Sequence, residues 1–172
     1  ARALGGAAPV SGGAEPVEIS LVIPVFNEEE VLPALEERLT ATLARLGTST
    51  EVLLVNDGSR DGTERLLADL ATRDPRFRAI HFSRNFGHQA AITAGVQLAR
   101  GRAVIVMDAD LQDPPELLEQ MLAKWREGYH VVYAKRESRR HESALKRGLA
   151  YSFYRVLTRL SDVRIPEDTG DF

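Results

Sequence analysis

The 172-residue chain has no cysteine, two methionines and one tryptophan. Without cysteine it can form neither a disulfide nor a thiolate metal site, so any metal must be held by oxygen or imidazole ligands. That absence also suits a reducing compartment. No stretch approaches the ~18–20 apolar residues needed to cross a bilayer. The opening ARALGGAAPVSGGAEPVE lacks the apolar core of a secretory signal and reads as a flexible tail over residues 1–17. A surplus of one charge is missing too: the formal net charge is −3 at pH 7, which provides no general attraction to nucleic acid. The length accommodates one sizeable core and is tight for two. The final DTGDF reads as mid-domain, so the chain is expected to stop short of its domain's end.

What is present after residue 17 is a regular alternation. The β-branched run EISLVIPVF (18–26) is followed by NEEEVLPALEERLTATLARLG (27–47), with apolar residues at helical spacing, Asn27 as the expected cap and Gly47 as the stop. Strand-type runs recur at 51–56, 77–82, 102–107 and 129–134, and helical patterns at 61–74, 85–101, 114–128 and 142–160. Asp61 is expected to cap the second helix and Asp113 the fourth, whose first turn would hold Pro114 and Pro115. Five strands alternating with helices predict an α/β fold with a mostly parallel sheet, buried on both faces. In such sheets ligands gather beyond the carboxyl ends of the strands.

Polar residues converge on that edge. The turn NDGSRDGT places Asp57 after strand two; it reads either as a glycine turn with a helix cap or as a carboxylate that accepts from a nucleotide. Strand four runs into DADLQDPPE, where Asp108 and Asp110 would project to one side if the strand continued. Two adjacent carboxylates repel unless a cation lies between them, and hard oxygen ligands select Mg²⁺ or Mn²⁺. Gln112 could add an amide oxygen. The alternative is a solvated acidic loop that caps the next helix.

The strings VIPVFNEEE, LLVNDGSRDGT, SRNFGHQAAITAG and DADLQDPPE, in this order and spacing, resemble the inverting glycosyltransferases of family 2. The resemblance covers roughly residues 18–172, and SRNFG, DADLQDPPE, KWREGY and TGDF are similar to the polyprenyl-phosphate branch: bacterial bactoprenol glucosyltransferases and dolichyl-phosphate mannose synthase. It implies a GT-A (Rossmann-like) three-layer α/β/α sandwich over 18–172. It also implies transfer of a sugar, UDP-glucose by default as donor, to a polyprenyl phosphate with inversion at the anomeric carbon. By the same resemblance Pro24, Phe26, Asn27, Glu28 and Asp57 would hold the base and ribose. Phe26 stands where the family often has Tyr, so stacking would survive without a hydroxyl contact. Arg84, Gly87 and His88 would lie near the diphosphate, Asp108 and Asp110 would be the metal pair, and Gln112 the third metal ligand. Asp171, by match to TGDF, would be a catalytic base or orient the acceptor. The family's enzymes act at the cytoplasmic face of the plasma membrane and continue into further sheet elements and membrane helices.

The acceptor side also reads from the residues themselves. Residues 135–159 carry eight cationic and two anionic side chains, interleaved with Tyr151, Phe153, Tyr154, Val156 and Leu157. That is either an ordinary solvated basic face or a segment suited to an anionic membrane surface. A lipid phosphate satisfies both cationic and apolar halves, and the related enzymes hold it with basic residues here, which points to Arg136, Arg139 and Lys146. A receiver-like signalling domain, another acidic (βα)₅ sheet, would need an Asp after strand three, where this chain has HFSRN. A nucleotide-sugar-binding piece without turnover is the second alternative. Oligomeric state, a homo-oligomer included, is left open by the sequence.

Overall fold

The computed structural model describes residues 16–134. The tail over 1–15, the basic segment 135–159, the helix expected at 142–160 and Asp171 lie outside the described residues. Among the described residues four parallel strands, β1 (Ile19–Val25), β2 (Thr50–Asn56), β3 (Phe77–His81) and β4 (Ala103–Val106), alternate with four helices, α1 (Leu32–Leu46), α2 (Thr63–Arg73), α3 (His88–Leu98) and α4 (Leu117–Arg126). The sheet order is β3-β2-β1-β4. Chain order therefore runs outward from β1 to β3 and then jumps back to the other side of β1, which places the topological switch between β1 and β4.

Alternation along the strands sorts the core. Ile19, Leu21, Ile23 and Val25 of β1, with Val52 and Leu54 of β2, face one layer and pack with Leu35 and Leu39 of α1, Leu67 of α2 and Leu118 of α4. The other face is covered by α3, which contacts β1 and β2. It approaches closely because Ala91 and Gly95 are small: a Cβ at Gly95 would collide with Val22 of β1. The result is a helix–sheet–helix sandwich. β1 and β2 are buried along their whole length, as expected, whereas β3 and β4 are only partly covered because each is an edge strand.

Four expectations about elements and their caps differ. The strand expected at 129–134 is absent among the described residues: Val132 packs against the core but the segment makes no ladder, and Val131 is 79% exposed. Asn27 does not cap α1, which starts at Leu32 after an N-cap at Val31; Asn27 instead adopts the left-handed region (φ 55°) five residues earlier. Pro33, which needs no N–H partner, fixes the later start, and Gly47 ends the helix in the left-handed conformation as expected. In α2 the N-cap is Gly62, and Asp61 accepts the N–H of Thr63 (3.1 Å) from one position outside. In α4 Glu116 holds the N-cap position rather than Asp113. Pro114 and Pro115 precede the helix and offer their carbonyls to Leu117 and Leu118.

At the amino-terminal edge of the sheet sits a buried charge. Glu51 of β2 accepts from Ser20 Oγ (2.7 Å), from Arg78 (2.8 Å), and from the backbone and guanidinium of Arg100 (2.7–3.0 Å). Burial pushes its carboxyl up, but the hydrogen bonds from Ser20, Arg100 and Arg78 outweigh burial and hold it at about 2. This network ties β1, β2, β3 and the α3–β4 connection together on the side opposite the candidate site.

Candidate active site

An open cleft of about 360 Å³ lies at the carboxyl edge of the sheet, lined by Pro24, Phe26, Glu28, Asp57, Asp108 and Asp110, together with Val25, Ala109 and the β3–α3 residues Asn85, Gly87 and His88. It straddles β1 and β4, the topological switch point where α/β sheets bind ligands.

The acidic pair reaches this cleft by a route the sequence did not indicate. β4 ends at Val106, so Asp108 and Asp110 do not sit on a strand. The chain turns through Leu111, a non-glycine residue at φ 59°, and Asp110 Oδ1 accepts the N–H of Gln112 (3.0 Å). Both carboxylates nevertheless line the cleft. Glu28 faces them from the β1–α1 loop. Its carboxyl is raised above the ordinary range, first by burial and then by the negative charges of Asp110, Asp61 and Asp108. His88 Nε2 lies 3.7 Å from Asp108 Oδ1 at the first turn of α3.

The fit to a divalent cation follows from this donor set. Asp108 and Asp110 supply hard oxygen atoms and their negative potential is felt at Glu28. Among the described residues no group of three or more acidic, imidazole or thiolate side chains is placed to hold a metal ion by itself. A cation at Asp108 and Asp110 would have to complete its shell with water and phosphate oxygens, as Mg²⁺ and Mn²⁺ do.

Asp57 is buried and carries a structural duty. Its Oδ1 accepts the N–H of Phe86 (2.7 Å) and its Oδ2 that of Gly87 (2.9 Å), which fastens the β3–α3 loop to the β2–α2 turn. Gly58, at φ 69°, allows the approach, since a Cβ there would strike the backbone of Arg84. Three expected site residues are not in the cleft lining. The Arg84 guanidinium lies over the Phe86 ring, 4.8 Å from its centroid. Gln112 is exposed beside the cleft. Asn27 is engaged with the β2–α2 loop: its N–H donates to Ser59 Oγ (2.9 Å) and its Oδ1 accepts from the Arg60 N–H (2.8 Å). Asn85 enters the lining without having been singled out; its place directly after the third strand's polar end is the signal that marks it. Arg136, Arg139, Lys146 and Asp171 lie outside the described residues.

A family model described as glycosyl transferase family 2 matches residues 20–171. The chain belongs to glycosyl transferase family 2. It is 49% identical over 156 residues to the uncharacterized glycosyltransferase YkcC of Bacillus subtilis (strain 168), covering 91% of this chain and 48% of the relative. It is 40% identical to the prophage bactoprenol glucosyl transferase homolog of Escherichia coli (strain K12), covering 91% and 51%. It is also 41% identical to the bactoprenol glucosyl transferase of Shigella phage SfV, again over 91% of this chain. The chain thus spans about half the length of the curated relatives it matches.

Solved structures agree on the fold. The mannosyltransferase PcManGT from Pyrobaculum calidifontis, solved with GDP-Man and Mn²⁺, superposes with a TM-score of 0.58 at 21% identity over 81% of this chain and 38% of its own. S. aureus TarS 1–349 with UDP-GlcNAc gives 0.53 at 18% identity over 74% and 38%. The α/β sandwich of this family 2 chain is the GT-A glycosyltransferase fold.

Proposed function

We propose that this family 2 domain transfers a sugar from a nucleoside diphosphate, UDP-glucose as the first candidate, to a polyprenyl phosphate with inversion at the anomeric carbon. The observation that carries the reading is the meeting, at the sheet's switch point, of a carboxylate pair from the β4 end with Pro24, Phe26, Glu28 and Asp57 from the ends of β1 and β2. The bactoprenol glucosyl transferase relatives support the acceptor.

On this reading Phe26, 41% exposed at the cleft mouth, stacks on the base, and Asp57 borders the base pocket. Asp108 and Asp110 would hold Mg²⁺ or Mn²⁺, which when bound supplies neutralisation of the diphosphate charge. His88, at the start of α3, serves the diphosphate side, and Arg84, on the β3–α3 loop, joins it there only if its guanidinium leaves the Phe86 ring. Arg136, Arg139 and Lys146 hold the acceptor phosphate, and Asp171 orients it. The acceptor oxygen forms its bond to the anomeric carbon as the bond to the diphosphate oxygen breaks, and the electron pair leaves with the nucleoside diphosphate. A phosphate is already ionised at pH 7, so no strong general base is required and positioning dominates. Gln112 as a further metal ligand requires its exposed side chain to turn toward Asp110. The basic–aromatic segment 135–159 is assigned to the cytoplasmic face of the plasma membrane, where the lipid acceptor resides.

Incubation with UDP-glucose, undecaprenyl phosphate and Mn²⁺ tests the proposal. Acceptor-dependent release of UDP with formation of a glucosylated lipid is the predicted result. Because the chain spans about half the length of its relatives, a nucleotide-sugar-binding piece without turnover is the second reading, and a full-length relative run in parallel separates the two. Lipid glucosylation by neither protein contradicts the proposal.

A further inference from the structure

Five hydrogen bonds join the β1–α1 loop to the β2–α2 loop and the first residue of α2. Besides the two made by Asn27, the Glu28 N–H donates to Thr63 Oγ1 (2.9 Å), the Glu29 N–H to Asp61 Oδ2 (3.3 Å), and the Gly62 N–H to Glu29 Oε2 (2.5 Å). Asn27 begins this seam. It is the residue with φ 55° between Phe26 and Glu28, both of which line the cleft, while Asn27 itself does not. Asparagine adopts the left-handed region at less cost than other non-glycine residues. Its carbonyl oxygen then reaches the Arg60 N–H of the neighbouring loop. Ser59, which accepts the Asn27 N–H, is anchored in turn by donating its own N–H to Asn56 Oδ1 (2.9 Å) at the end of β2. The two loops are therefore one hydrogen-bonded unit, continued by Asp57 into the β3–α3 loop.

We propose that Asn27 is a positioning residue, not a nucleotide contact: it locks the β1–α1 loop onto the β2–α2 loop and thereby fixes Phe26 and Glu28 in the nucleotide cleft. The proposal rests on the reading of the cleft as a nucleotide site. It assigns the Asn27 carbonyl oxygen to Arg60 and leaves direct contact to its neighbours. Ser59, which is also outside the cleft lining, belongs to the same device.

The test pairs UDP binding with Mn²⁺, measured by titration calorimetry, with amide hydrogen exchange at Arg60. Asn27→Gly keeps the left-handed backbone but removes the acceptor. It should speed exchange at Arg60 and weaken UDP binding about tenfold, a loss of the size of one well-placed hydrogen bond. Ser59→Ala should weaken binding in the same direction although Ser59 lies outside the cleft lining. Asn27→Asp, which retains the acceptor oxygen, should restore the Arg60 protection and bring affinity to within about threefold of the unaltered chain. Weak binding by Asn27→Gly with an unaffected Ser59→Ala variant would overturn the proposal, because it marks a direct contact. So would accelerated exchange with undiminished affinity. Failure of the unaltered chain to bind UDP removes the nucleotide reading itself and this proposal with it, an outcome visible before any variant is made.

Discussion

At the scale of single residues, the cleft is defined by charge held close to like charge. Glu28, Asp108 and Asp110 are brought to one opening by the ends of different strands, and the Glu28 carboxyl records the consequence in its raised titration. Burial is the larger cause and Asp110 the next. Asp110→Asn should therefore lower the apparent pKa of Glu28, leaving it still above the ordinary range, in a carboxyl-carbon NMR titration. An unchanged Glu28 would separate the two carboxylates. The DADLQ string announced a carboxylate cluster but not its geometry. Period-two alternation would have put Asp108 and Asp110 on one side of a strand, whereas the strand ends at Val106 and a left-handed Leu111 turns the chain. Asn27 was legible as a polar residue after an apolar strand. Its two partners lie in another loop more than thirty positions away, and nothing local specifies them.

Secondary-structure elements were legible where local signals agree. The apolar spacing of α1, the glycine that ends it, and the unbroken apolar runs of β1 and β2 all correspond to observed elements. The miss at 129–134 is of a different kind. YHVVYA has the composition of a strand, but a strand requires a partner edge, and composition cannot say whether the open edge of β4 will pair with it. The buried Glu51 was likewise read only as part of a strand, because its partners Ser20, Arg78 and Arg100 come from three other segments. Its depressed carboxyl gives the fold a defined acid response. A group at about 2 in the folded chain, against an ordinary 4.5, stabilises above the ordinary value and loses that stabilisation as pH falls from about 4.5 through about 2. The contribution is on the order of 3 kcal/mol at neutral pH. Urea unfolding across pH 2–7 should show this decline, and Glu51→Gln should lower neutral stability by a similar amount while flattening the acid limb. A variant as stable as the parent at pH 7 would show that the network contributes nothing.

Over the described molecule, the Glu51 network and the candidate cleft occupy opposite edges of one sheet. The amino-terminal edge is pinned by the Glu51 network, and the carboxyl edge carries three loops bonded to one another around the cleft. On the proposed function the cleft binds a nucleoside diphosphate through a cation held by Asp108 and Asp110. The decisive experiment is calorimetric titration of UDP-glucose with and without Mn²⁺ into the parent chain and Asp108→Ala. The parent should bind, at least tenfold more tightly when Mn²⁺ is present, and Asp108→Ala should lose that metal-dependent gain. A metal-dependent gain of the same size in both proteins would contradict it.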